Sequence, residues 1–393
     1  MDALAIVCEY NPFHSGHAYH IQAAKELCNA DTVIGVMSGC FVQRAEPAVL
    51  SPVLRAETAL HNGMDAVIEL PVAFSCAVGE RFADGAMRIM SRIPQIKWLA
   101  IGVEDDGNLI QRIADIQFTQ PPVFCARLQE VLQKGKPYAV ALTEATAAAI
   151  DTSLCEAVKA ALQKPNNVLA VEYLRSIRRH DLSIVPVFVQ RSGNHYNDTA
   201  ACGQHISATA ARILLEKGDF HALRPYIPHP LFSVLCESYE RQRVHWDIYE
   251  ALTVHALRTK DIAQSADNGE GLHYKLSECA RKYVRLTDIV EACKSKRYTV
   301  GRIKRICLQT LLGITDEVMQ QAEGAAGRLI AVKNARKDIL RALSGIAVQN
   351  NDYAALGDAA VAAAQTDGTA GSIYSLITQQ PNNAFWDRKL LTV

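Results

Sequence analysis

The chain has 393 residues, 49% of them apolar and 21% charged, with 41 basic residues matching 41 acidic ones. This is the composition of a globular protein of two or three domains rather than a disordered chain. No run of about 18 uninterrupted apolar residues occurs, which argues against a membrane-spanning helix. The opening Met1-Asp2-Ala3-Leu4 lacks the basic end and apolar stretch of a secretion signal, so a cytosolic location is expected.

In chain order, the first half alternates two kinds of segment. Leu4–Cys8, Thr32–Met37, Ala66–Leu70 and Ile96–Ile101 are short runs of Val, Ile, Leu and Ala, as expected for strands buried on both faces of a parallel sheet. Between them, His17–Cys28 and Ser51–Asn62 carry helical periodicity. A further helical stretch over Val168–Arg178 leads into the β-rich run Ser183–Val189. This alternation predicts a doubly wound α/β domain with a parallel sheet. Gly218, Pro225, Pro228 and Pro230 cluster next, and a boundary is expected near residue 220, separating a catalytic domain (1–220) from a mainly helical one (221–393). Helical patterns then dominate to about Leu343. The tail after Asn350 is rich in alanine and glycine (Ala359–Ala364, Gly368–Gly371) and ends in a helical patch before Trp386.

Eleven scattered cysteines, with no CxxC pair, fit neither a disulfide framework nor a zinc site, and no metal-ligand set is expected. Cys279, Cys293 and Cys307 read as small buried residues on helices. Charge is concentrated in one place: between Arg281 and Arg305, nine basic residues face only Asp288 and Glu291, an excess of seven. A neutral chain with one such segment is expected to meet a polyanion there. Tyr283 and Tyr298 in the same stretch are expected to stack on unpaired bases.

The sharpest chemical signal is Val7-Cys8-Glu9-Tyr10-Asn11-Pro12-Phe13-His14-Ser15-Gly16-His17-Ala18-Tyr19-His20. A buried strand ends, a turn follows, and a helix opens near His17. The carboxyl end of such a strand is where open α/β sheets bind ligands, and the helix N-terminus favours an anion. Two imidazoles there can stabilise charge developing on a phosphate. His20, one turn on, is either part of the site or helix surface. A second constellation, Ile206-Ser207-Ala208-Thr209-Ala210-Ala211-Arg212, offers hydroxyls, N–H groups and a guanidinium to further phosphates. Acyl-enzyme chemistry is not expected, because no cysteine sits beside a convincing His and carboxylate, and Cys8 reads as core.

The His14-Ser15-Gly16-His17 turn resembles the signature of the nucleotidylyltransferase superfamily. Further segments are similar to tRNA(Met) cytidine acetate ligases: Val36 through Ala48, Glu69-Leu70-Pro71, Lys164 through Tyr173, Gln190-Arg191, and Lys296-Arg297-Tyr298-Thr299 with Arg302 and Arg305. The resemblance runs from residue 1 to about 315. It implies an ATP-dependent ligase that joins acetate to AMP, releases pyrophosphate and passes the acetyl group to the wobble cytidine of elongator tRNA(Met), with Mg²⁺ as the nucleotide's counter-ion. It also implies an ATP site formed by Val7 through His20, Gly102, Asn166, Arg191, Ser207 and Thr209, with His14, His17, Arg191 and Arg212 as the catalytic groups. Lys294, Lys296, Arg297, Arg302 and Arg305 are then the tRNA-binding residues. The chain departs from the family at Cys40, at Ala45 where glycine is usual, and over Leu50-Ser51-Pro52-Val53. A nucleotidylyltransferase acting on a small phosphorylated metabolite and a non-catalytic RNA-binding protein remain as alternatives.

Overall fold

A computed structural model describes residues 1–191, 206–228, 231–334, 336–381 and 389–393. Pro230 and Trp386 lie outside the described residues. The main sheet has seven strands: β1 (Ala3–Cys8), β2 (Thr32–Ser38), β3 (Ala66–Leu70), β4 (Ile96–Val103), β5 (Val185–Gln190), β6 (Arg328–Val332) and β7 (Leu391–Thr392), in the spatial order β5-β4-β1-β2-β3-β6-β7. The first five are mutually parallel, with helices between them, as their apolar runs predict.

Alternate residues of β1 feed opposite cores. Ala3 and Ala5 pack into one, Leu4 and Ile6 into the other, so both faces are covered and the strand reads as a continuous apolar run. The chain runs outward from β1 through β2 to β3, then returns to place β4 on the other side of β1. The carboxyl ends of β1 and β4 therefore flank the point where the strand order reverses.

The helical second half does not stand apart from this sheet. β6 pairs antiparallel with β3, setting Arg328 opposite Glu69, and β7 pairs parallel with β6. Residues beyond 320 thus complete the sheet begun at residue 3, and the expected division near residue 220 does not separate sheet from helices. The helices Trp246–Thr259, Leu272–Lys282, Leu286–Cys293 and Val300–Leu312 enclose a core of their own around Leu272, Leu276, Ile303 and Ile306. Cys279, Cys293 and Cys307 are buried, as expected. Asp358–Ile377 forms the long helix of the alanine-rich tail.

Candidate active site

At the reversal point lies a cavity of about 230 Å³. Its walls come from the end of β1, the helix Ser15–Cys28, the end of β4, Asn166, Arg191, and the segment from Ile206 to Arg212. Residues as far apart in the chain as Ile6 and Arg212 therefore meet there, as the motifs anticipate.

The start of the helix Ser15–Cys28 is built from its own histidines. His14 is the N-cap: its Nδ1 accepts from the Gly16 N–H at 3.1 Å, while His17 Nδ1 accepts from the His14 N–H at 3.3 Å. The two rings stack with centroids 3.7 Å apart. This reciprocal capping satisfies donors that a helix start otherwise leaves open. It also selects a tautomer, since a neutral imidazole whose Nδ1 accepts carries its proton on Nε2. Both histidines line the cavity and so can offer N–H donors where a phosphate would lie. His17 is held well below the usual imidazole range, first by burial and then by the charges of His14, Arg191 and His20. It is neutral at physiological pH.

His20 also lines the cavity. Its Nε2 is shielded from solvent and has no hydrogen-bond partner among the described residues, and burial followed by the Arg191 charge lowers its pKa to about 4. A side chain at Gly102 would meet the Arg191 stem at 3.6 Å and His20 Nε2 at 3.7 Å, so these three residues form one corner. Asn166 Nδ2 donates to Glu104 at 2.6 Å at another edge. Ser207 caps the helix Ala208–Glu216 by accepting from the Ala210 N–H. Arg212 donates to the Asn11 carbonyl at 2.8 Å and to Thr209 Oγ1 at 3.3 Å. Ser207 and Arg212 line the cavity, whereas Thr209 touches the site through Arg212.

A short hairpin, Phe41–Val42 paired with Glu46–Pro47, forms the remaining wall with Gln43 and Arg44. Glu9 holds it in place, accepting from Ser38 Oγ at 3.2 Å and from the Gln43 N–H at 2.7 Å. Asn11 accepts from the Val49 N–H at 2.8 Å. The departure at Ala45 is accommodated at φ 59°, a left-handed conformation that costs a residue with a Cβ about 1–2 kcal/mol. Its methyl is fully buried, which offsets part of that. The departure at Ser51-Pro52 makes a helix start: Ser51 accepts from the Leu54 N–H and Pro52 occupies the first turn.

One residue of this region has no forewarning in the motifs. Arg55 is 1% exposed and donates to the carbonyls of Glu9, Ser38, Gly39 and Leu50. It ties the ends of β1 and β2 to the loop that carries the hairpin. The available signal is its setting, an arginine between Leu54 and Ala56 on the apolar face of a short helix.

The basic segment is partly internal. Arg305 pairs with Asp267 at 3.3 Å and keeps only 18% of its side-chain exposure. Arg302 pairs with Glu270 at 2.7 Å and Lys304 with Glu46 at 2.5 Å. Tyr298 is 9% exposed and donates to the Glu270 carbonyl at 2.6 Å. The expected stacking role of Tyr298 is therefore corrected: its ring is core. Arg305 likewise turns inward to a buried carboxylate. Lys294, Lys296, Arg297 and Tyr283 remain on the surface. Among the described residues there is no cluster of three or more metal-ligating side chains and no helix long and apolar enough to cross a membrane.

Residues 1–388 match the family model for the HIGH Nucleotidyl Transferase. The chain is 34% identical to the tRNA(Met) cytidine acetate ligase of a Thermoanaerobacter species, over 87% of this chain and 86% of that protein. The chain belongs to this family. It is 31% identical to the tRNA(Met) cytidine acetate ligase of Clostridium perfringens over 96% of both chains. It also superposes on the crystal structure of Thermotoga maritima TmcAL without ligand with a TM-score of 0.93, at 29% identity and full coverage of both chains. The same protein bound with alpha-thio ATP superposes with a TM-score of 0.91 at 27% identity, covering 100% of this chain and 99% of that one. The resemblance of the motifs thus extends over the whole architecture, β6 and β7 included.

Proposed function

We propose that this protein activates acetate with ATP and transfers the acetyl group to the wobble cytidine of elongator tRNA(Met). The observation that carries this reading is the pair of capping histidines at the strand-order reversal, with Arg191 and Arg212 lining the same cavity. ATP lies with its phosphates over the start of the helix Ser15–Cys28. An acetate oxygen attacks the α-phosphorus in line, the P–O bond to the β-phosphate breaks, and pyrophosphate leaves. His17, which is neutral, and His14 beside it donate through Nε2–H to oxygens whose negative charge grows in this step, and the arginines supply fixed positive charge. No protein nucleophile is required, and Cys8, whose thiol pKa burial raises, takes no part. The cytidine N4 then attacks the acetyl carbon of the mixed anhydride, loses a proton and releases AMP. Its base must leave the stack to reach the cavity.

Mg²⁺ belongs to this reading as the counter-ion of the triphosphate. The protein's donors fit it only through the nucleotide, because Glu9 is already committed to Ser38 and Gln43. Lys294, Lys296 and Arg297 present charge to the RNA backbone from the helical half, which serves as the RNA-binding domain. The test is ATP–pyrophosphate exchange with and without acetate, followed by transfer of labelled acetate to a tRNA(Met) transcript. Exchange that depends on acetate, and label in the tRNA, support the reading. Exchange that ignores acetate but depends on a phosphorylated metabolite replaces it.

A further inference from the structure

A second pocket of about 590 Å³ lies on the far side of the hairpin that walls the ATP cavity. Gln43 and Arg44 face the first cavity, while Ala45 and Glu46 face the second, so the two sites are separated by the thickness of one hairpin. The helical half supplies the rest of the lining, including Trp246, Asp247, Arg285 and Lys304.

The charges in this pocket sort into used and unused ones. Glu46 is matched by Lys304 at 2.5 Å. Glu250 accepts the first N–H groups of the helix Leu286–Cys293. Glu216, Asp247 and Arg285 have no ion pair among the described residues. Trp246 is 37% exposed, and its ring is braced edge-on against Tyr249 at 6.1 Å and 81°. An indole face is a stacking surface for a flat ring. Unpaired carboxylates accept from exocyclic amines, and they disfavour a phosphate deep in the pocket. The exposed Arg285, which starts the helix whose far end carries Lys294, suits a backbone phosphate at the rim.

We propose that this pocket holds an unpaired, amine-bearing base, cytosine or adenine, from the nucleotide next to the one whose base enters the ATP cavity. The inference rests on the RNA-acylation reading. With one base stacked on Trp246 and its neighbour turned over the hairpin into the cavity, the splayed loop is held at two points. The hairpin, pinned by Glu9 to the end of β1, sets their separation. The pocket then reads the loop sequence, and the basic surface supplies sequence-independent affinity.

The experiment compares the full-length chain with Trp246→Ala, Trp246→Phe and Asp247→Asn. Transfer of labelled acetate is measured on a tRNA transcript and on anticodon stem-loops made abasic at either neighbour of the target cytidine. Trp246→Ala should raise the RNA KM by about 5- to 150-fold, the value of one base–aromatic stack, with Trp246→Phe recovering most of it. Acetate-dependent pyrophosphate exchange should not change. Removing the neighbouring base should cost the wild type the same factor and the variant nothing further. Asp247→Asn should narrow the preference for cytosine or adenine over uracil at that position. If Trp246→Ala also loses exchange, through misfolding, Asp247→Asn decides alone. Full RNA affinity in Trp246→Ala, or losses that multiply with the abasic substitution, overturns the subsite and leaves the pocket to a protein partner. A wild-type chain that performs exchange but binds no RNA overturns the functional reading instead.

Discussion

Replacing Arg328 with methionine should destabilise the fold by about 3–5 kcal/mol, the cost of leaving a buried carboxylate without its counter-charge. Arg328 and Glu69 are 6% and 8% exposed. Arg328 donates to one oxygen, Glu69 Oε2, through Nη2 at 2.8 Å and through Nε at 3.2 Å. Little room is left for water to replace the guanidinium, since a Cβ at Gly39 would sit 2.2 Å from the other carboxylate oxygen. Against a typical total stability of roughly 5–15 kcal/mol, this one pair is a large fraction. The loss should appear as a lower urea midpoint at unchanged slope, followed by circular dichroism. The double variant Glu69→Leu, Arg328→Met should recover most of it, because an apolar pair of similar volume removes the desolvation cost as well as the attraction. Gly39 accepts from Arg55 just before the hairpin, so the single variant should also raise the KM for ATP. A loss below about 1 kcal/mol, or a double variant no more stable than the single one, would refute the reasoning.

Four further outcomes are expected. His17→Ala should lower acetate-dependent exchange by about 10²- to 10³-fold, the cost of one preorganised donor; a loss under tenfold removes His17 from the step. His20→Leu should raise the KM for ATP by about 5- to 10-fold, one hydrogen bond from a now-unpartnered nitrogen, and an unchanged KM assigns His20 to packing. Asp367 accepts from the Val72 N–H at 2.6 Å, and burial, with the Glu69 charge, raises its pKa from 3.8 to about 8. Its raised folded-state value means that its contribution to stability is complete below pH 4 and is lost as the pH rises through 8, by up to about 1.4 kcal/mol per unit. Asp367→Asn should flatten that limb of the denaturation midpoint against pH, and an unaltered profile excludes the group. Exchanging both Lys296 and Arg297 for alanine should leave pyrophosphate exchange intact and reduce the salt slope of tRNA binding by about two; an unchanged slope moves the RNA contact elsewhere.

The features legible in the sequence are those whose cause is local. Val33, Ile34 and Val36 in β2 are apolar because both faces of a central parallel strand are covered, and His14-Ser15-Gly16-His17 is contiguous because one turn between a strand and a helix builds it. Arg212 was likewise readable from Ser207 and Thr209 beside it, though its bond to the Asn11 carbonyl was not. What the tertiary structure decided rests on partners distant in the chain. Arg328–Val332 is too short to announce a strand, and it becomes one because β3 exposes an edge 259 residues away. Arg55 belongs to no motif, and only the folded chain brings the carbonyls of Glu9, Ser38, Gly39 and Leu50 onto it. Tyr298 lies among lysines and arginines in sequence, yet it is buried because Glu270 meets it from another turn of the helical bundle. A hydrophobic pattern reports whether a residue faces water. It carries no record of which distant polar group waits inside, so the ion pairs and the buried guanidiniums that brace this site appear only when the chain has closed on itself.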